Sequence, residues 1–311
     1  MNLEYLIKRF FKSIKEENYK IAVKKAINFF LNSSKIDLDN YNVPATDNLD
    51  KIFIRFGTDK GSIDGKKIYE YIYKNKKFKN YFDWIKRENL EENEFNLGLN
   101  SSNLYEKIFE RKKDEKVKVL EIGVANGHSV ASWQQYFKKG LIFGIDKKKL
   151  SRFFYKSKRI KYFDIDIFNE RKILNFVKNN KPFDYIIDDS LHEEKAILTN
   201  LKNFFPSIAP GGIYFIEDFK AIDFFREKVR EYQINNGGKY MVSSQYTIRE
   251  VLNFLNNKEF FKNPFLNQDT QKKLFEQIDK VEIFENKNSH PLAAIGVIYK
   301  KNNEKKTSEI N

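Results

Sequence analysis

The hydrophobic pattern changes character along the chain. From residue 117 onward, short β-branched runs at 117–122, 142–145, 160–163, 185–187 and 213–216 alternate with amphipathic stretches of helical period. Strands that alternate with helices predict βαβ units and a parallel sheet. Two further strand runs, 281–284 and 293–299, close the chain, after a mainly helical insertion over 219–280. Before residue 117 the spacing is helical. Leu3, Leu6, Ile7, Phe10 and Phe11 form one apolar stripe, and Ile21, Val23, Ala26, Ile27 and Phe30 form a second. Residues 32–50, with Pro44, read as a linker, and 51–110 read as helix around the loop Phe56–Ser62. The expected fold is α/β: a doubly wound, mostly parallel, seven-stranded sheet with an N-terminal helical region over 1–105. The main domain spans 106–311, and its 219–280 insertion is a candidate substrate lid.

Composition narrows the function classes. The chain has 311 residues, and 41% of them are hydrophobic, enough to build a full core despite 32% charged residues. It contains no cysteine, which excludes disulfides, thiolate metal sites and a cysteine nucleophile. No run approaches a membrane span, and Lys8, Arg9 and Lys12 interrupt the apolar N-terminus where a leader would be unbroken. A cytoplasmic protein is expected. The net charge of +14 invites anionic partners. Lysine is spread through every segment, which favours background composition over a dedicated polyanion site.

Candidate chemistry sits at strand ends, where open α/β sheets bind ligands. The first strand of the alternating region runs into Val-Leu-Glu121-Ile-Gly123-Val-Ala-Asn-Gly127. Its glycines allow a tight turn and close backbone approach, and the helix that follows offers free N–H groups. The spacing is not that of the dinucleotide fingerprint, and Glu121 suits a cationic amine better than a pyrophosphate. Asp146 ends the second strand, where a carboxylate can accept two ribose hydroxyls or cap a helix. Asp164 and Asp166 end the third, where either could face an adenine edge or stand as a solvated loop acid. The fourth ends Ile-Ile-Asp188-Asp189-Ser-Leu-His192 and the fifth Ile-Glu217-Asp218. Adjacent parallel strands would gather Asp189, Glu217 and Asp218. Clustered carboxylates repel unless a cation neutralises them, and all-oxygen ligands favour Mg²⁺. His192, one of three histidines, is suited to take a proton from a metal-polarised hydroxyl.

These motifs resemble the class I S-adenosylmethionine-dependent methyltransferases over roughly residues 105–300. The resemblance implies a Rossmann-like fold, with S-adenosylmethionine held by Glu121, Gly123, Gly127, Asp146, Asp166 and Asp188. The runs IIDDSLH and PGGIYFIEDF are similar to the metal-dependent macrolide-sugar O-methyltransferases and the cephalosporin hydroxylase-like proteins grouped with them. That likeness implies metal ligation by Asp189, Glu217 and Asp218, and a base at His192. It also implies substrate contacts by Thr58, Asp59 and Lys60, from the Gly57–Gly61 segment that matches the subfamily's Gly-Thr-Asp-Lys-Gly. Ser190-Leu191 stands where Gly-Ser is usual, and Ile63-Asp64-Gly65 replaces a usual histidine.

The expected function is Mg²⁺-assisted O-methylation of a sugar hydroxyl on a saccharide or sugar nucleotide, of the kind used in surface polysaccharide or natural-product synthesis. A nucleic-acid methyltransferase and a non-catalytic scaffold are the alternatives. No RNA-binding module or Asn-Pro-Pro-Tyr motif after the fourth strand supports the former. The intact acids argue against the latter. The basic N-terminal helices are compatible with peripheral contact at the inner membrane surface, and relatives that assemble through N-terminal segments make a homo-oligomer compatible too.

Overall fold

The computed structural model describes residues 36–41, 43–56, 58, 60–62, 101–125, 127–147, 155–223, 226, 245–285 and 294–302. The two N-terminal stripes, Asp59 and the tail from 303 lie outside the described residues. Nine strands are present among them: β1 (Ile36–Asp37), β2 (Lys118–Ile122), β3 (Leu141–Asp146), β4 (Tyr155–Lys156), β5 (Ile160–Asp164), β6 (Phe183–Asp188), β7 (Ile208–Ile216), β8 (Ile278–Phe284) and β9 (Ile295–Lys300). The labelled helices are α1 (Leu49–Phe56), α2 (Ser102–Phe109), α3 (His128–Tyr136), α4 (Glu170–Asn180), α5 (Glu194–Phe204), α6 (Ile248–Asn257) and α7 (Gln268–Gln277).

Seven strands form one sheet in the order β5-β3-β2-β6-β7-β9-β8, parallel from β5 to β7 and antiparallel at β9. This is the expected doubly wound sheet. The strand order switches direction between β2 and β6, which puts the ligand crevice at the carboxyl ends of these two parallel strands. The central strands carry near-continuous apolar runs because helices cover both faces. Each strand alternates between those faces. Val119, Tyr185, Ile187, Ile213 and Phe215 face a core shared with Leu49, Phe53, Tyr105, Phe109 and Trp133 of α1, α2 and α3. Leu120, Ile122, Ile186, Tyr214 and Ile216 face the opposite core, with Ile173, Phe176, Leu201 and Leu252 of α4, α5 and α6.

The helices start where short polar side chains satisfy their first N–H groups. Asn169 accepts from Lys172 N at α4, and Asn267 accepts from Thr270 N at α7. Thr247 and Glu250 form a reciprocal capping box at α6. Within 219–280, residues 248–257 and 268–277 are helical as expected, and β8 begins at Ile278. Among the described residues, no helix is long and apolar enough to cross a membrane.

One feature departs from the expected linker. Ile36 and Asp37 pair in parallel with Tyr155 and Lys156 as a separate two-stranded ribbon. Asp39 accepts from the Ser157 hydroxyl at 2.6 Å, and Phe56 packs edge-on against Tyr155 at 5.6 Å. Two-residue strands carry no period, so the linear pattern contains no trace of this pairing.

Candidate active site

The glycine loop and the turn after β6 are in direct contact. Gly123 lies at φ +91°, and a Cβ there would stand 2.0 Å from the Asp189 carbonyl oxygen. Asp189 N donates to Ile122 O at 2.9 Å. Glycine is therefore required at 123 by both conformation and space. Gly123→Ala is expected to lose more than about 2 kcal/mol of stability, read from the urea midpoint. A loss below about 0.5 kcal/mol would show that the two turns separate easily.

Gly127 also lies at φ +91° and begins α3 with no side-chain cap. Asp146, at the end of β3, accepts from Ala125 N at 2.8 Å and so braces the loop's crest. Asp166 accepts from Phe168 N at 3.0 Å and stands 3.3 Å from Lys147 Nζ. The Phe168 amide is the main reason its carboxyl lies below the usual range. Asp146 closes β3 and Asp166 follows β5 at the carboxyl ends of these strands, and both have protein partners there.

Asp188 is a further acid expected to hold the cofactor. It occupies the same strand parity as Ile186, so it points into the α5 face. There it is buried and accepts from Asn200 Nδ2 at 3.0 Å and Tyr214 Oη at 3.0 Å. Burial pushes its carboxyl up to about 6, against these opposing hydrogen bonds. Asn200 also donates to Ser190 Oγ at 3.0 Å, so this network holds the turn that carries Asp189 and His192.

Glu121 and Glu217 take the other parity and point toward α1, α2 and α3. Both are buried. Glu121 Oε2 accepts from Trp133 Nε1 at 3.2 Å. Glu217 accepts from the Tyr105 hydroxyl and from the Lys60 ammonium. Lys60 Nζ also lies 2.5 Å from Asp189 Oδ2 and 3.9 Å from Glu121 Oε1. Burial pushes Glu121 up to about 8 and Glu217 up to about 7, with Lys60 pulling both down. Lys60, expected as a substrate contact on an arm, is 1% exposed and interior. Thr58 is buried as well.

Asp189, Glu217 and Asp218, the three acids expected to share a metal, leave two neighbouring strand ends, and Lys60 bridges Asp189 and Glu217. Ligand atoms of Asp189, His192 and Asp218 lie within 4.8 Å of one another. The partners of Glu217, by contrast, are Lys60 and Tyr105. Consecutive residues leaving a strand face opposite ways, so Glu217 and Asp218 could not both turn toward one point without a break in the pleat. That break is visible at Asp218, whose φ is +51°. His192 (φ +50°) and Ala125 (φ +50°) share this left-handed conformation, so all three non-glycine examples at the site lie on turns that leave β2, β6 and β7. Strain of this kind concentrates where side chains must be aimed.

His192 Nδ1 lies 3.2 Å from the Glu217 carbonyl, and Nε2 lies 3.5 Å from Asp189 Oδ1. A carbonyl can only accept, so Nδ1 carries the hydrogen and Nε2 faces the carboxylates. Burial alone would lower its pKa. Asp218 and Asp189 outweigh that effect and hold the imidazole above its ordinary value.

Tyr105 and the inward course of Lys60 were not among the expected site features. Strand parity was the available signal for the direction of Glu217. Nothing local marks Tyr105, which sits within an apolar helix stripe. Its ring packs on Trp133 at 5.2 Å and on Phe215 at 5.0 Å.

No protein-family model matches the chain. It is 32% identical over 124 residues to 8-demethyl-8-alpha-L-rhamnosyl tetracenomycin-C 2'-O-methyltransferase of Streptomyces olivaceus, covering 38% of this chain and 32% of that protein. It is 32% identical over 121 residues to demethylmacrocin O-methyltransferase of Streptomyces fradiae, covering 37% and 30%. The matches thus span about a third of these relatives' length. Among solved structures, the MycE methyltransferase of the mycinamycin pathway, in complex with Mg and SAH, superposes with TM-score 0.56 at 19% identity, over 83% of this chain and 56% of that one. The chain thus shares the fold of the MycE methyltransferase, and about 120 of its residues resemble O-methyltransferases of Streptomyces.

Proposed function

We propose that this chain is an S-adenosylmethionine-dependent, Mg²⁺-assisted O-methyltransferase acting on a sugar hydroxyl. The observation that carries this reading is the Asp189–His192–Asp218 group, with ligand atoms within 4.8 Å, whose Asp189 turn packs against the glycine loop. Metal and methyl donor would then meet at one strand-end crevice.

The residues fit both groups. Mg²⁺ favours one or two carboxylates and fills its remaining positions with water and substrate oxygens. Asp189 and Asp218 supply such a pair, and Glu217 stands beside them, sharing the Lys60 ammonium with Asp189. For the cofactor, the uncapped N-terminus of α3 suits a carboxylate, and Asp146 lies beside the loop for ribose hydroxyls. When bound, the cofactor supplies an electrophilic methyl group and the cation acidifies the hydroxyls it touches.

The chain's own part is positional and protolytic. Asp189 and Asp218 orient the acceptor at the crevice. Nδ1 of His192 stays tied to the Glu217 carbonyl, which aims Nε2 at the acceptor to receive its proton. The Asn200–Asp188–Tyr214 network keeps the turn from drifting, so the reacting atoms stay in line.

A sugar nucleotide or glycan phosphate as acceptor is consistent with the +14 charge. The same reading makes the protein a cytoplasmic participant in polysaccharide or natural-product synthesis. The test is methyl transfer from labelled S-adenosylmethionine into a cell extract split into nucleic acid, protein, polysaccharide and small polar pools, with Mg²⁺ or with EDTA. Label in a sugar-bearing pool that EDTA abolishes is the expected result. Label in nucleic acid would replace the substrate class, and label indifferent to EDTA would remove the metal role of Asp189 and Asp218.

A further inference from the structure

Lys60 ends in a setting unlike that of any other described lysine. Its side chain is 1% exposed, and its ammonium meets carboxylates from the ends of three strands: Glu121 in the last pleat of β2, Asp189 after β6 and Glu217 after β7. Its backbone is pinned from the other side. The Lys60 carbonyl accepts from Ser101 N at 3.0 Å, Ser102 N at 3.1 Å and Ser101 Oγ at 3.1 Å, at the start of α2. The flanking turn is tied down by Asp50, which accepts from Ser62 N at 2.7 Å, Ser62 Oγ at 2.6 Å and Ser102 Oγ at 2.8 Å. The loop thus holds the ammonium in place.

Two further observations give this arrangement a direction. Asp189 is shared: Oδ2 faces Lys60 at 2.5 Å, while Oδ1 faces His192 Nε2 at 3.5 Å in the group suited to a metal. A buried acceptor also stands open on the far side of the ammonium. Glu121 is fully buried; Trp133 and Ser129 serve its carboxylate, yet Oε1 has no partner within hydrogen-bond geometry among the described residues and lies 3.9 Å from Lys60 Nζ. A buried unsatisfied carboxylate oxygen is costly, and its presence marks a place for a donor.

We propose that Lys60 is a resident counter-cation that competes with an incoming divalent cation for Asp189. When the cation takes Asp189, the ammonium moves from Asp189 toward Oε1 of Glu121. Lys60 is then a positioning residue that sets metal affinity and keeps the carboxylates folded together in the metal-free protein. This rests on the metal site of the proposed function.

The test compares the full chain and Lys60→Met in Mn²⁺ and Mg²⁺ titrations, read by calorimetry and by the shift in melting temperature. Removing a unit charge a few ångströms from the ligands should tighten cation binding by about ten-fold or more. Lys60→Met should also melt lower than the parent without metal, and gain more on adding it. Equal dissociation constants in the two proteins, or weaker binding in a folded Lys60→Met, would overturn the inference and leave the metal site standing. Absence of cation binding by both would overturn the metal reading itself, and the inference with it.

Should Lys60→Met fail to fold, the parent protein gives an independent readout. A buried ammonium held by carboxylates exchanges slowly enough to be followed by nitrogen-15 NMR. Titration with Mg²⁺ should shift that signal with the calorimetric dissociation constant. A signal that stays in place while Mg²⁺ binds would overturn the proposal.

Discussion

His192→Ala should lower turnover by about 10²–10⁴-fold, the range supplied by a positioned general base. The imidazole is held at both nitrogens, with Nδ1 at the Glu217 carbonyl and Nε2 at Asp189. The loss should appear in kcat, with the affinity for S-adenosylmethionine kept within about two-fold, because no cofactor-side residue is altered. Single-turnover methyl transfer and calorimetric cofactor binding separate these terms. A loss below about ten-fold in the chemical step would move the proton acceptor elsewhere. Equal loss in cofactor binding would mean that His192 holds the turn rather than the proton.

The second large effect concerns stability. Glu217→Leu should cost about 3–5 kcal/mol, the range for removing one member of a buried ion pair. Glu217 accepts from both the Lys60 ammonium and the Tyr105 hydroxyl, and all three side chains are buried. Burial and the neighbouring carboxylates hold the Tyr105 hydroxyl well above its ordinary pKa, so it stays protonated and needs an acceptor. Leucine fills much of the volume and accepts nothing. Glu217→Gln keeps an acceptor for Tyr105 and should fall between the two. Urea unfolding with an unchanged slope measures the difference. A loss below about 1 kcal/mol for Glu217→Leu would mean that Asp189 alone satisfies Lys60.

The sheet was legible because its signal is periodic. The runs at 117–122 and 142–145 are mainly apolar and bounded by polar turns, as strands inside a parallel sheet must be, while 160–163 carries an exposed Lys161 because it is the edge strand. The strand pair 36–37 and 155–156 was not legible, since two residues define no period. The chemistry was legible by residue type and strand end. Asp189, His192 and Asp218 converge as their positions after neighbouring strands imply. The side to which an acid turns was harder to read. Asp188 and Asp189 are adjacent, yet one faces Asn200 and Tyr214 while the other faces Lys60 and His192. Alternation along β6 explains this, but only once register and the bounding helices are known.

The amino-acid sequence by itself determined the order of strands and helices, the glycine loop, and the set of acids at the strand ends. Those features arise from local period, turn chemistry and residue type, all written in consecutive residues. The tertiary structure alone decided which acids share a neighbour. It brought Lys60 across 129 positions to Asp189 and Tyr105 across 112 to Glu217. Such pairings depend on helix packing against one face of the sheet. No linear pattern records that packing, because an ammonium or a phenol among apolar neighbours reads the same whether it meets solvent or a buried carboxylate.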